Sequence, residues 1–374
     1  MKVLIVGAGV VGLSTAWALA RAGHEPVVFD QGPIPNPLAA SFDQHRMIRY
    51  HYGDQTGYAR MMHDAYAAWE TLWADLGARH GAETGVLAIS TVPGDWTDQS
   101  KATFDDLGAP YQVLDAPEVH ELYPHLRVPE EAWGLLTKGG GVLFADRIVT
   151  GLARHLSERG VALNPETQVT GLDAEAATVT FGDGTRATGD AVVVAAGAWI
   201  DKLCPKFAGT TQSIRSVVTY VAPPAHFADA WARGPALFIT TGQGTLYCLP
   251  PVDGCGLKLG GAPLLAPGDP DVPRHVTDAE AQQILASYAP FLRDAESYGI
   301  QESIACCYAD NGLKRFVVER VGRTLIVGNC GGRMFKFGAL MGQEVASAVA
   351  DGRNISGLAA WAAGAPASDA AAEA

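Results

Sequence analysis

The opening residues change hydrophobic period twice within thirty positions. Lys2-Val3-Leu4-Ile5-Val6 is a short β-branched run that reads as a buried parallel strand, and Leu13 to Ala22 has the composition of a helix. Glu25-Pro26-Val27-Val28-Phe29 is a second strand, ending in Asp30. Far along the chain, Ala191-Val192-Val193-Val194-Ala195-Ala196 is another buried strand, stopped by Gly197-Ala198-Trp199. Thr324 to Gly328 repeats the pattern, followed by a helix from Gly338 to Ala350. Between these pieces, Ile148, Val149, Leu152 and Leu156 share one face of a helix starting near Asp146. Thr178–Phe181 and Thr185–Thr188 read as a hairpin turned at Gly182-Asp183-Gly184. Residues 85–140 change to mixed helices, and Gly139-Gly140-Gly141 marks a return to the first pattern. Ser216–Val221, Ala236–Thr240 and Thr245–Leu249 alternate as strands, with a helix near Asp278–Tyr288, which together predict an antiparallel sheet flanked by helices.

Composition narrows the classes. A length of 374 residues predicts two to three domains. The 43 Gly and 22 Pro are roughly a sixth of the chain, enough for many tight turns and too few for low-complexity sequence. The formal charge of −13 disfavours nucleic acid as a partner, since no basic stripe offsets it. Six Cys form no Cys-x-x-Cys pair and no zinc spacing with His, so neither a disulfide scaffold nor a metal site is expected, and a reducing cytoplasm is the default location. Met1 to Ala20 has features of a secretory signal, but the glycines within it argue otherwise.

Those glycines carry the first chemistry. Gly7-Ala8-Gly9-Val10-Val11-Gly12 lies between a strand and a helix. Gly7 allows the tight turn, Gly9 lets backbone approach a pyrophosphate, and Gly12 lets the helix pack closely on the strand. The helix N-terminus then offers unpaired N–H groups to an anion. Asp30 stands 18 residues past Gly12, where a carboxylate takes ribose hydroxyls and disfavours a 2′-phosphate. Dinucleotide binding follows, with NAD and FAD both open on these residues alone.

The strand ending at Ala196-Gly197, the late segment Thr324 to Gly332 and the final helix resemble those of flavoproteins of the glutathione-reductase and D-amino-acid-oxidase type. Five further motifs are similar to the monomeric sarcosine oxidases and their relatives, from Met1 to about Trp361. They are Arg46-Met47-Ile48-Arg49-Tyr50-His51-Tyr52-Gly53; Thr84-Gly85-Val86-Leu87; Tyr247 eleven residues before Lys258 in Gly256-Leu257-Lys258-Leu259-Gly260; Cys306-Cys307-Tyr308 with Phe316-Val317-Val318; and Phe335-Lys336-Phe337. The resemblance implies an α/β fold: a Rossmann-type FAD-binding domain and an α+β substrate domain on an antiparallel sheet. The FAD domain is expected at 1–84, 140–211 and 302–361, the substrate domain at 85–139 and 212–301, and a disordered tail at 362–374.

It also implies a monomeric FAD-dependent oxidase of a small secondary or tertiary amino acid, using O₂ and leaving an imine and H₂O₂. A cyclic or primary amino acid, a larger N-substituted amine, a dehydrogenase reaction, and a noncatalytic FAD-binding scaffold are the alternatives. By the same resemblance Gly7, Gly9, Gly12, Asp30, Arg46, Ala196, Gly197, Trp199, Gly331, Gly332 and Lys336 contact the cofactor. Cys306 is the expected covalent attachment point, with Cys307 its rival. Arg49 and Lys336 would clamp a substrate carboxylate, Tyr247 and Tyr308 wall the pocket, and Lys258 activates O₂. The physical case for Lys258 is a preorganised charge where superoxide develops; an edge-strand lysine is the structural alternative. His45 and His51 read as structural or solvent-facing. Two departures mark the pocket: Ala262 stands where the family often has His, and Gly332-Arg333-Met334 where it often has Gly-His-Gly.

Overall fold

The computed structural model describes residues 1–351 and 355–365. Its first sheet has six strands in the order Val317–Val321, Thr324–Gly328, Ala191–Val194, Lys2–Val6, Glu25–Phe29 and Ala162–Asn164. All neighbours pair in parallel except the outer hairpin of Val317–Val321 with Thr324–Gly328. Past the polar residues Lys2, Glu25 and Thr324 at their starts, the central strands are apolar because both faces are covered. Val3, Ile5 and Val193 pack in the cluster formed with helices Val10–Arg21 and Gly338–Asp351. Leu4, Val6, Val192 and Val194 face the opposite way, onto a three-stranded meander of Val169–Asp173, Thr178–Phe181 and Arg186–Thr188.

The second sheet has eight strands in the order Gly299–Asp310, Gln212–Ala222, Leu257–Pro267, Gly244–Leu249, Ala236–Thr241, Val86–Ser90, Trp133–Thr137 and Gln112–Asp115. It is antiparallel except where Ala236–Thr241 runs parallel to Val86–Ser90. Helix Asp278–Tyr288 packs on it, started by a capping box between Thr277 and Glu280. Helix Trp96–Leu107 is capped by Asp95, whose side chain accepts from the Thr97 and Asp98 amides. The boundary expected at 302 falls inside the strand Gly299–Asp310, which pairs with Gln212–Ala222 along its whole length and so belongs to the eight-stranded sheet down to Asp310.

A small sheet of Arg46–Ile48, Gly141–Leu143 and Gly81–Ala82 joins the two halves of the molecule. At the other end, Ala362 is not tail: it is fully buried and its carbonyl accepts the Tyr58 hydroxyl (2.9 Å). The rest of the expected tail lies, from residue 366, outside the described residues.

Candidate functional site

The Gly-rich turn ends at helix Val10–Arg21, whose N-cap Gly9 supplies no side-chain cap. Gly7 has φ of 103°, and a Cβ there would sit 2.4 Å from the Ala195 carbonyl oxygen. At Gly12 a Cβ would meet the Gly7 carbonyl oxygen at 1.9 Å, so helix and turn approach as closely as only glycine permits. Asp30 holds the turn from below: Oδ2 accepts from the Ala8 amide (2.8 Å), and Oδ1 from the Gly32 amide (3.0 Å) and Asn36 Nδ2 (2.9 Å). A carboxylate offers about four lone-pair sites, so capacity remains for a ligand hydroxyl.

From this turn a cavity of about 930 Å³ extends to Lys258, Cys306 and Lys336. Every residue expected to contact cofactor or substrate lines it except Gly12, which is turned toward the strand behind, and Cys307, the rival attachment point. Gly331 and Gly332 reach it through left-handed backbone, φ of 52° and 66°. Trp199 lines it with its indole Nε1 donating to Asp271 (2.5 Å).

At the far end Lys258 lies inside the eight-stranded sheet, flanked by strands on both sides and fully buried, so the edge-strand alternative does not hold. Its ammonium donates to Asp43 Oδ2 and to the His45 carbonyl (3.1 Å). The same Asp43 carboxylate accepts from Arg46 and, at 2.5 Å, from the Tyr220 hydroxyl. Asp43 is therefore a buried anion shared by two cations, and they hold its carboxyl well below the usual range despite burial. Burial, with Arg46 close by, pulls Lys258 down to about 8. His45 and His51 are not solvent-facing: both are fully buried, and burial pushes each down to about 3. Asp43 carried no signal in the sequence beyond its place three residues before Arg46.

Arg49 follows the strand Arg46–Ile48 and stacks among three rings, its guanidinium carbon 4.7 Å from the centroid of Tyr52, 4.8 Å from Trp96 and 4.5 Å from Phe238. Its Nη1 is buried without a partner, and burial lowers the guanidinium to about 10. Lys336 is buried on the short helix Met334–Phe337, donates to the Arg333 carbonyl (3.2 Å), and is shifted well below its ordinary value by burial and by Arg49. Trp96 and Phe238, which the sequence marks only as parts of a helix and a strand, thus belong to the cavity wall. Cys306 and Cys307 separate cleanly, since neighbours on a strand face opposite ways: Cys306 lines the cavity, whereas Cys307 is buried in the sheet and does not. Cys330 also lines the cavity, with its thiol against the Ala309 carbonyl. Among the described residues no group of His, Cys, Asp and Glu is placed to hold a metal ion, and no helix is long and apolar enough to cross a membrane.

Residues 2–348 match the DAO family, described as FAD dependent oxidoreductase. The chain belongs to this family. It is an FAD-dependent oxidoreductase with the family's Rossmann-type cofactor domain. The DAO chain is 22% identical over 361 residues to a monomeric sarcosine oxidase from Bacillus sp. (strain B-0618), covering 94% of this chain and 92% of that protein. It is 23% identical over 356 residues to an N-methyl-L-tryptophan oxidase from Yersinia pestis (strain Pestoides F), covering 92% and 93%. Its fold superposes on NikD, an unusual amino acid oxidase essential for nikkomycin biosynthesis, with a TM-score of 0.80 at 20% identity, covering 94% of each chain.

The residues present fit FAD. A helix N-terminus whose N-cap Gly9 carries no side chain, with Ser41 Oγ at the Val10 amide (2.9 Å), suits the pyrophosphate, Asp30 suits the ribose, and one elongated cavity continues from them to the cationic end. Asn329 adds a side-chain oxygen that is buried without a partner on the cavity wall.

Proposed function

We propose that this DAO-family enzyme oxidises the C–N bond of a small secondary or tertiary amino acid and uses O₂ as electron acceptor. The observation that carries the reading is that one cavity wall presents Arg49 and Lys336, each buried and free of any carboxylate partner among the described residues, beyond the buried Lys258. Bound FAD supplies the acceptor for a hydride from the carbon next to nitrogen and passes the electrons to O₂, giving H₂O₂. The imine left behind adds water and separates into amine and aldehyde.

The chain's own residues do the rest. Arg49 and Lys336 receive the substrate carboxylate, a guanidinium fork and an ammonium together fixing its orientation. Tyr52, Trp96 and Phe238 hold Arg49 rigidly and keep water from it. Tyr247 and Tyr308 form walls, their hydroxyls kept protonated because burial raises both well above the usual phenol value. Lys258 keeps a positive charge near neutral pH where charge develops on oxygen. Cys306, which lines the cavity, would hold the flavin covalently through its sulfur.

Anaerobic mixing of the purified yellow holoenzyme with a panel of N-methyl and cyclic amino acids tests this. Bleaching of the flavin by at least one of them, followed by recovery and H₂O₂ on admitting O₂, is expected. Bleaching by none overturns the amine reading, and bleaching without recovery in O₂ overturns the acceptor.

A further inference from the structure

Three cations surround one phenol ring in the cavity. The centroid of Tyr52 lies 4.7 Å from the guanidinium carbon of Arg49, 5.9 Å from that of Arg333 and 5.9 Å from the ammonium of Lys336. All four residues line the cavity. Arg333 Nη1 donates to Gln55 (2.5 Å), while its Nε and Nη2 are buried with no partner. Arg49 Nη1 and the Tyr52 hydroxyl are likewise buried and unpartnered. Among the described residues none of the three cations forms an ion pair, and the acid of this stretch, Asp54, is exposed and pairs with none of them.

Such a cluster is costly unless an anion enters it, because buried charges without partners lose solvation and here also repel one another. Tyr52 does not supply that anion, since burial raises its hydroxyl well above the usual phenol value. One substrate carboxylate satisfies the Arg49 and Lys336 pair. It leaves Arg333, whose guanidinium cannot give up its proton, with two donors aimed at nothing. Arg333, 5.3 Å from the Tyr58 centroid and 5.9 Å from that of Tyr52, is a second guanidinium fork separate from Arg49, and two forks suit two carboxylates.

We propose that Arg333 is a specificity-determining residue that binds a second carboxylate, so that the substrate is an N-substituted dicarboxylic amino acid. This rests on the amine-oxidising reading above. It explains why the short segment before Phe335-Lys336-Phe337 carries an arginine: the residue extends the carboxylate site of Lys336 by one further cation from the same helical turn. Arg333 is the further guanidinium that shares the Tyr52 ring with Arg49 and Lys336, which places it beside their carboxylate site.

Matched pairs isolate the charge from the shape. The holoenzyme is given N-methyl-L-glutamate against N-methyl-L-glutamine, and N-methyl-L-aspartate against N-methyl-L-asparagine, and kcat/KM is taken from anaerobic flavin reduction. In parallel, calorimetry measures binding of glutarate against its monoamide, which requires no turnover. A charge-assisted pair in a partly buried site predicts a preference of about tenfold to a hundredfold for at least one acid over its amide, in both measurements. Arg333→Gln should collapse that ratio toward one, and Arg333→Lys should restore part of it. Equal efficiency for acid and amide overturns the inference, as does a preference that survives Arg333→Gln. If no amine bleaches the flavin while glutarate still binds through Arg333, the amine reading fails and the second-carboxylate site stands.

Discussion

Replacing Asp43 with Asn tests whether the buried carboxylate holds Lys258 and Arg46 together. The substitution keeps size but leaves one oxygen where there were two: Tyr220 donates to Oδ1, whereas Lys258 and Arg46 donate to Oδ2, so the change removes the negative charge and one acceptor. Breaking a buried ion pair by removing one partner costs about 3–5 kcal/mol. The two cations respond differently. Arg46 cannot deprotonate, and its lost charged hydrogen bond is worth about 1.5–3 kcal/mol. Lys258 already titrates at about 8, so at pH 7 it escapes by shedding its proton, which limits its share to roughly 1 kcal/mol. The sum is about 2.5–4 kcal/mol at pH 7.

The pH dependence separates these shares. The folded pKa of Lys258 lies below its unfolded value of 10.5, so between about 8 and 10.5 the unfolded chain binds more protons and native stability rises with pH. In Asp43→Asn that rise starts at lower pH, because the carboxylate that raises the lysine is gone. The gap between the two proteins should therefore narrow by about 1 kcal/mol from pH 7 to pH 9. Urea unfolding of both proteins with saturating FAD, followed by tryptophan fluorescence at the two pH values, measures it. A loss under about 1 kcal/mol, or a gap that does not change with pH, would refute the reasoning.

Other outcomes follow from the same geometry. Lys258→Met should slow stopped-flow reoxidation of the reduced enzyme by at least about tenfold while slowing anaerobic reduction much less, and the wild-type reoxidation rate should fall as pH rises through about 8; an unchanged rate makes Lys258 structural. Flavin should stay with the chain after acid precipitation, be released by Cys306→Ala and be retained by Cys307→Ala, whose sulfur faces away from the cavity; release by Cys330→Ala instead would move the attachment to the neighbouring wall. Asp30→Asn should weaken FAD retention more than turnover per bound flavin, checked by flavin-to-protein ratio after dialysis. Gly12→Ala should abolish soluble holoenzyme, since its methyl would sit 1.9 Å from a backbone oxygen; normal yield of yellow protein would contradict that packing.

Local chemistry made the cofactor half of this protein legible. Gly7, Gly9, Gly12 and Asp30 lie within one strand-turn-helix-strand unit, where spacing along the chain is nearly spacing in space. The long apolar runs announced central parallel strands for the same reason, because a strand covered on both faces cannot alternate. What the sequence left open depends on partners far away in the chain. Lys258 is central rather than edge only because Gln212–Ala222 and Gly244–Leu249 pair on its two sides. Asp43 becomes its counter-ion across a separation of 215 residues. Cys306 is preferred over Cys307 in the sequence only through the family resemblance, whereas in the fold the sheet puts Cys306 and not Cys307 on the cavity wall. Arg333 meets Arg49 around Tyr52 only after the late helix docks beside the arginine strand. Electrostatic partnership acts through space over a few ångströms, so the tertiary structure alone decides which charges balance and which are left waiting for a ligand.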